Sequence, residues 1–325
     1  MYCEAGEPGS SERAGDGWHG RSHEPELLYQ RARVAAGDER VFVGKLCVVA
    51  VLILLGGFAA LSGNWLAMAA GFVVLGGVYT HAVELQHQCL HHSAFTAARR
   101  HRIAGIPLGI PLLVSYSHYR VRHLQHHKYL GTSQDSEFFG FDTRQPLTFR
   151  MLLRGLFDYG RLLVVLREIV RSYRGTWTYD LGPIADHRRR QILSEYRLMG
   201  TFIGTAAALS AVGFGEYVLK LWVIPLAVGI PLHFLVELPE HILCDTDTSD
   251  VLRNTRSIKG SWFTTWFTNG NNLHVEHHAA MAVPINRLRE RHAEVERFGK
   301  YVERTYLGFF HRVLSEARRN TKARP

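Results

Sequence analysis

The chain has 325 residues, 46% of them hydrophobic, and carries 38 Lys and Arg against 29 Asp and Glu, a formal net charge of +9. Its apolar residues are clumped into long runs, which excludes an ordinary soluble domain. No nucleic-acid motif accompanies the positive charge, so no nucleic-acid partner is expected. The four cysteines, Cys3, Cys47, Cys89 and Cys244, form no CxxC pair and no zinc or iron–sulfur spacing, which suits a reducing compartment.

In chain order, residues 1–40 are polar, lack the apolar core of a signal peptide and are expected to form a mobile tail. A bilayer span needs about 20 mostly apolar residues. Residues 41–61 qualify, interrupted by Lys45, and residues 66–85 qualify again; only Ser62, Gly63, Asn64 and Trp65 separate them, which predicts a tight helical hairpin. Residues 103–116 are apolar but too short to span and contain Pro107 and Pro111. They are expected to re-enter the bilayer or lie at its interface, with a buried helix as the alternative. Residues 147–173 alternate apolar pairs with Arg150, Arg154, Arg161, Arg167 and Arg171, a basic amphipathic helix suited equally to a membrane surface or to packing on the rest of the chain. Third and fourth spans are read at 198–214 and 218–236, the latter through Pro225 and Pro231, which a span tolerates where neighbouring helices satisfy the freed carbonyls. Residues 293–325 read as a basic C-terminal helix or tail.

Loops retained in the cytoplasm are enriched in Lys and Arg. Residues 86–200 carry 17 of them and residues 241–325 carry 14, whereas the connections 62–65 and 213–217 carry none. Both termini and the central segment are therefore placed on the cytoplasmic side, where the charge favours anionic lipid headgroups. The predicted fold class is an all-α integral membrane protein, multi-pass, with four transmembrane helices in two hairpins. Its membrane domain runs over 41–292, with a cytoplasmic helical cap from 86–197 and 237–292.

Three histidine clusters follow the ends of apolar stretches: His87, His91 and His92; His123, His126 and His127; and His274, His277 and His278. His241 stands alone after Glu240. Imidazole is neutral near pH 7 and a strong donor to Fe, Zn, Cu or Ni. On a helix, residues three and four apart share a face, so each of the last two triplets can converge on one point. An ion takes about three or four protein ligands, so ten candidates suit two ions. All of them fall on the basic side of the predicted topology, as a shared site requires. His118 reads as a supporting residue rather than a ligand, and His81 and His233, inside the spans, as groups facing the bundle interior. His19, His23, His101, His187, His292 and His311 read as surface residues, and Cys89 as facing away from the ligands. Glu84, Glu237 and Glu240 are either carboxylates that orient imidazoles or solvated interfacial groups.

Together these residues resemble the integral-membrane fatty acid desaturases and their hydroxylase, ketolase and epoxidase-like relatives, which carry three histidine boxes. His87 to His92 has the HxxxHH form and is followed by Ser93-Ala94-Phe95. His123 to His127 is an HxxHH box with Thr132, Asp135 and Glu137 behind it, and His274 to His278 lies in Asn271-Asn272-Leu273-His274-Val275-Glu276-His277-His278, with Val283-Pro284 and Leu288 beyond. Glu240-His241 and Asn254-Thr255-Arg256 are similar to the bacterial branch. The resemblance covers 41–292 and implies a cytoplasmic cap holding two irons. It implies His87, His91, His92, His123, His126, His127, His241, His274, His277 and His278 as ligands, Asn271 near a water on one metal, and Asp135, Glu240 and His118 as supporting residues. Two features depart from the usual pattern: Ala279-Ala280-Met281-Ala282 follows the third box where an aromatic residue and a proline are more usual, and no HPGG haem motif occurs, so no fused electron carrier is expected.

A C–H bond in an alkyl chain is too weakly acidic for general base catalysis, so removing its hydrogen requires an oxidant that a cofactor supplies. The resemblance thus implies an O2-dependent di-iron oxidoreductase that desaturates an alkyl or acyl chain of a lipid in the bilayer, with electrons from a separate donor such as a ferredoxin or a cytochrome. Hydroxylation on the same scaffold is the alternative. Charge complementarity predicts an acidic carrier docking near Arg188, Arg189 and Arg190. Two readings come from other classes. A membrane zinc hydrolase of amides or esters needs fewer than ten ligands, and HExxH is absent; a b-type haem protein has its ligands within the spans, whereas these lie beyond them.

Overall fold

In a computed structural model, described for residues 24–132, 134–136 and 141–322, the first two apolar runs are helices α1 (Ala36–Ala60) and α2 (Trp65–Leu90), joined as a hairpin. Short polar side chains fix both starts: Asp38 accepts the Ala35 N–H at 2.8 Å, and Asn64 Oδ1 accepts the N–H groups of Leu66 and Ala67. Helix α1 leaves apolar side chains uncovered, Leu54 72% and Phe58 83% exposed, a surface that suits hydrocarbon rather than water. Helix α2 is the opposite. Every residue from Val78 to Leu90 is buried, which makes its second half the central pillar.

Helix α3 (Ala98–Gly109) runs into one tighter turn, Ile110–Leu112, and the chain reverses at Leu113, whose φ is +58°. Helix α4 (Tyr116–Tyr129) then returns. The apolar segment 103–116 is thus a helix end and a turn packed on α2, with Gln86 donating to the Gly105 carbonyl at 2.8 Å. The basic amphipathic stretch forms two helices rather than one, α5 (Phe149–Leu156) and α6 (Gly160–Arg174). In α6, Ile169 and Ser172 are buried, while Leu163 and Val170 stay exposed beside Arg167 and Arg171.

Helix α7 (Asp186–Leu209), a short α8 (Gly215–Val218) and α9 (Ile224–Glu237) belong to one run of 52 residues, the third segment long and apolar enough to cross a membrane. That run is not straight. Val212 and Gly213 leave helical geometry, Gly213 at φ +101°, a conformation that glycine adopts without penalty. The rings of Phe202 and Trp222 meet at 4.7 Å, whereas the intervening residues in a straight helix would span about 30 Å, so the chain doubles back.

Two prolines in the return arm leave carbonyls without their helical donors, Leu221 below Pro225 and Ala227 below Pro231. The Tyr79 hydroxyl donates to the first at 2.5 Å and the Tyr159 hydroxyl to the second at 3.0 Å, so neighbouring helices supply what the sequence reading required. At Gly76, α2 and α9 approach so closely that a Cβ would stand 2.7 Å from Val228 Cγ1.

The remaining chain forms α10 (Val251–Asn254), β1 (Arg256–Ile258), α11 (Trp262–Phe267), α12 (His274–Ala279), α13 (His292–Phe298), β2 (Tyr301–Glu303) and α14 (Tyr306–Lys322). Strands β1 and β2 pair in parallel, Arg256 opposite Tyr301. Helix α14 buries Phe309, Val313 and Ala317 in one cluster with Phe141, Leu147 and Phe234, so the C-terminal segment is docked rather than trailing. Ahead of α1, the N–H groups of Leu27 and Leu28 donate to the Glu294 carboxylate at 3.0 and 2.6 Å, and Leu28 is buried against Val275 and Val295. This part of the polar stretch 1–40 is therefore a strap and not a free tail; residues 1–23 lie outside the described residues.

Candidate metal centre

His87 comes from the last turn of α2, and His91 is the residue that ends it. His123, His126 and His127 come from α4, His274, His277 and His278 from α12, and His241 from the turn after α9. Donor nitrogens of His87, His91, His123, His127 and His277 all lie within 4.8 Å of one another. A second group joins His126, His241 and His278, and a third joins Glu240, His241 and His274. Within them, His126 Nε2 stands 3.1 Å from His241 Nε2, His241 Nε2 3.2 Å from His274 Nε2, and His274 Nε2 3.1 Å from His278 Nε2. The stacked rings of His127 and His278, 4.0 Å between centroids, join the two halves.

The far nitrogens decide what these atoms face. His126 Nδ1 lies 2.7 Å from Asp135 Oδ1, and His241 Nδ1 lies 3.0 Å from the Asn254 carbonyl, so both Nδ1 atoms carry the ring proton. His274 Nδ1 lies 3.0 Å from Asn271 Oδ1, and that amide is oriented by its own Nδ2 donating to Glu240 Oε1 at 2.5 Å. Three Nε2 lone pairs therefore converge with no hydrogen between them, an arrangement that only a cation relieves. A proton is a poor candidate. Burial first, and neighbouring imidazoles second, hold His123, His127, His274, His277 and His278 well below their ordinary range. Nine neutral imidazoles, more than the four to six or so donors one ion accepts, fit a pair of divalent metals.

The supporting layer is built from β1 and the asparagine-rich loop before α12. Buried Arg256 donates to the carbonyls of Pro239 and Ile242, holding the turn that carries Glu240 and His241. Asn269 donates to the Glu84 carbonyl and Gln88 of α2, and Asn272 donates to the Ile258 carbonyl of β1 at 2.6 Å. Inside the third box, the Glu276 carboxylate accepts from Ser257 Oγ at 2.5 Å and from His292 Nδ1 at 2.6 Å, and Ser257 Oγ accepts the Val275 N–H.

Of the ten expected ligands, His92 stands apart. Helix α2 has ended, His92 takes φ +56°, and its exposed ring stacks on His101 with centroids 4.6 Å apart. Among the described residues, His118 sits apart from the clustered histidines, among Trp177, Tyr179 and Tyr196, with Nδ1 2.6 Å from the Tyr196 hydroxyl. Asn271, expected near a metal-borne water, uses both ends of its amide on His274 and Glu240. His101 and His292, expected at the surface, are buried: His101 Nε2 accepts the N–H groups of Ala94 and Phe95, and His292 serves Glu276. His187 and His311 are exposed, and His19, His23 and Glu137 lie outside the described residues. His81 and His233 face the interior, bonded to the Phe267 carbonyl and Glu237. Cys89 packs in the apolar cluster of Leu85 and Leu90, and Glu84 is buried.

The sequence profile of the family described as Fatty acid desaturase matches residues 63–310, a stretch that holds all three histidine clusters and His241. The chain belongs to the fatty acid desaturase family. It is 26% identical over 234 residues to a sphingolipid delta(4)-desaturase/C4-monooxygenase of Homo sapiens, a match covering 69% of this chain and 64% of the relative. A sphingolipid delta(4)-desaturase of Drosophila melanogaster is 29% identical over 240 residues, covering 71% and 66%. The chain thus spans just under two thirds of the length of these curated relatives. Among the features of this desaturase-family chain that carry no sequence signature, the Asn254 carbonyl is foremost, because a backbone acceptor can be any residue's.

Proposed function

We propose that the protein is an O2-dependent di-iron oxidoreductase that desaturates an alkyl or acyl chain of a lipid or lipid-like substrate. The observation that carries this reading is the convergence of pinned, proton-free Nε2 atoms in a desaturase-family chain. His87, His91, His123, His127 and His277 hold one iron, and His126, His241, His274 and His278 the other, with Glu240 beside His274 at 3.3 Å. Bound iron supplies the one-electron chemistry with O2 that an unactivated C–H bond requires.

The chain's own residues do the remaining work. Asp135, the Asn254 carbonyl and Asn271 lock three imidazoles in the metal-binding tautomer, and burial keeps bulk water from the oxidant. Two hydrogens leave neighbouring carbons of the substrate; with two electrons from a separate ferredoxin or cytochrome and two protons they reduce O2 to water. Hydroxylation is the second reading, favoured by the name of the human relative, which couples a desaturase with a monooxygenase. The same proposal places four spans in two hairpins, the second reversing at Gly213, with the cap and both termini on the cytoplasmic side.

Metal analysis of the purified protein, joined to mass spectrometry of lipids from cells with and without it, tests the reading. Two irons per chain and a lipid lighter by two hydrogens are expected. Zinc with a hydrolysed lipid, or a haem absorption band, would overturn it.

A further inference from the structure

A cavity of about 550 Å³ is bordered by His92, the residue after His91 of the histidine cluster. Arg99, Arg102, Arg120, Arg188, His92 and His187 line it, and no carboxylate does. Arg102 is paired with Glu195 at 2.9 Å, and Arg120 gives its Nε–H to the Leu90 carbonyl at 2.8 Å. Among the described residues, Arg99, Arg120 and Arg188 have no carboxylate partner. Gathered in a concave wall, their charges repel one another unless an anion joins them.

Three helix starts border the same space, and that of α4 is already satisfied, since Glu195 accepts the Ser117 N–H at 2.8 Å and Ser115 Oγ the His118 N–H at 3.2 Å. Ala98 opens α3, Tyr116 and Ser117 open α4, and His187 lies in the first turn of α7. Helices α3 and α7 follow Ala97 and Ala185, whose side chains cannot cap them, so their first N–H groups and the positive ends of their dipoles add to the arginines. Guanidinium groups and helix starts share one chemistry: all are donors, and none accepts. The position of His92 now has an explanation. Consecutive residues His91 and His92 belong to the histidine cluster and to the cavity lining, so the backbone links the two sites.

We propose that this cavity binds a phosphate group, the anion whose oxygens match forked guanidinium donors, and that the phosphate belongs to the head of an amphiphile whose chain reaches the metal centre. The attachment to a chain rests on the oxidase reading above; the binding of the anion does not.

Calorimetry on the full chain in neutral detergent tests this with three probes: inorganic phosphate, a short-chain phosphatidic acid and the matching phosphate-free diacylglycerol. Saturable binding of phosphatidic acid and none of diacylglycerol is expected. An Arg99→Gln, Arg188→Gln pair should weaken it by at least about tenfold, while an Arg167→Gln, Arg171→Gln pair on α6, an equal change of charge, should not. Tighter binding of the lipid than of inorganic phosphate assigns the site to a head group, and equal binding assigns it to free phosphate. Absence of saturable binding of either by the unaltered protein overturns the proposal whether or not the variants fold, as does equal weakening by both pairs. Since calorimetry needs no turnover, intact phosphate binding in a protein that oxidises nothing would count against the oxidase reading alone.

Discussion

The Nε2 atoms of His126 and His241 stand 3.1 Å apart, and each ring keeps its proton on the opposite side, toward Asp135 and the Asn254 carbonyl. Two lone pairs pointed at each other are unfavourable in an empty protein and favourable around a metal. On the di-iron reading proposed above, the acceptors behind the rings contribute to the metal affinity.

Asp135→Asn leaves His126 in place but removes the carboxylate that fixes its tautomer. Loss of such a partner typically costs roughly 10–100-fold in metal affinity. Iron per chain after passage over a chelating column should fall to about half, because the group around His87 keeps its own ion. Undiminished iron would separate Asp135 from the site.

His126→Ala and His277→Ala are each expected to lose iron and turnover while the protein still inserts in the membrane. His92→Ala should retain full iron, since that ring stacks on His101 outside the cluster. Iron analysis of the three variants side by side decides the matter; equal loss in the His92 variant would return it to the ligand set.

Ser257→Ala removes a hydroxyl that serves both the Glu276 carboxylate and the Val275 N–H. A buried carboxylate short of one donor costs about 1–3 kcal/mol. The melting temperature should drop in metal-free and iron-loaded protein alike, and an unchanged value would show the network to be slack.

His118 tests the cost of burying an imidazole away from the metal. Burial, with Arg122 beside it, lowers it from the ordinary 6.5 to about 4. Between those values the unfolded chain binds a proton there that the folded chain refuses, so stability falls as pH falls through this window and is level above it. Metal-free His118→Phe should lose less melting temperature between pH 7.5 and pH 5 than the unaltered protein. Identical slopes would mean that the folded ring titrates normally.

How much of this was legible in the sequence follows from which interactions leave a local pattern. Helical spacing alone brings His123, His126 and His127 to one face, and apolar run length alone locates α1 and α2. His241 has no such spacing and was a candidate only because it lies, like the clusters, beyond the end of an apolar stretch. His92 lies outside the cluster because the box pattern continues past the point where the helix stops, and the left-handed turn at that residue has no glycine to announce it. The supporting roles of Asn254, Ser257 and His292 depend on β1 lying between two distant segments, a relation that periodicity does not encode. The break between the apolar runs 198–214 and 218–236 was legible in the sequence, and the structure places the reversal at Val212 and Gly213 within one helical run of 52 residues.

The strap ahead of α1 sets a timetable for the protein's birth. Leu28, buried with Val275 of α12, donates its N–H to Glu294, a residue 266 positions later. At ribosomal speeds of 5–20 residues per second, the earlier partner waits roughly 15–50 s for the later one. The donors of α2 and α4 emerge earlier in that interval and those of α12 only after residue 273, so the histidine cluster cannot close until most of residues 28–294 have been made.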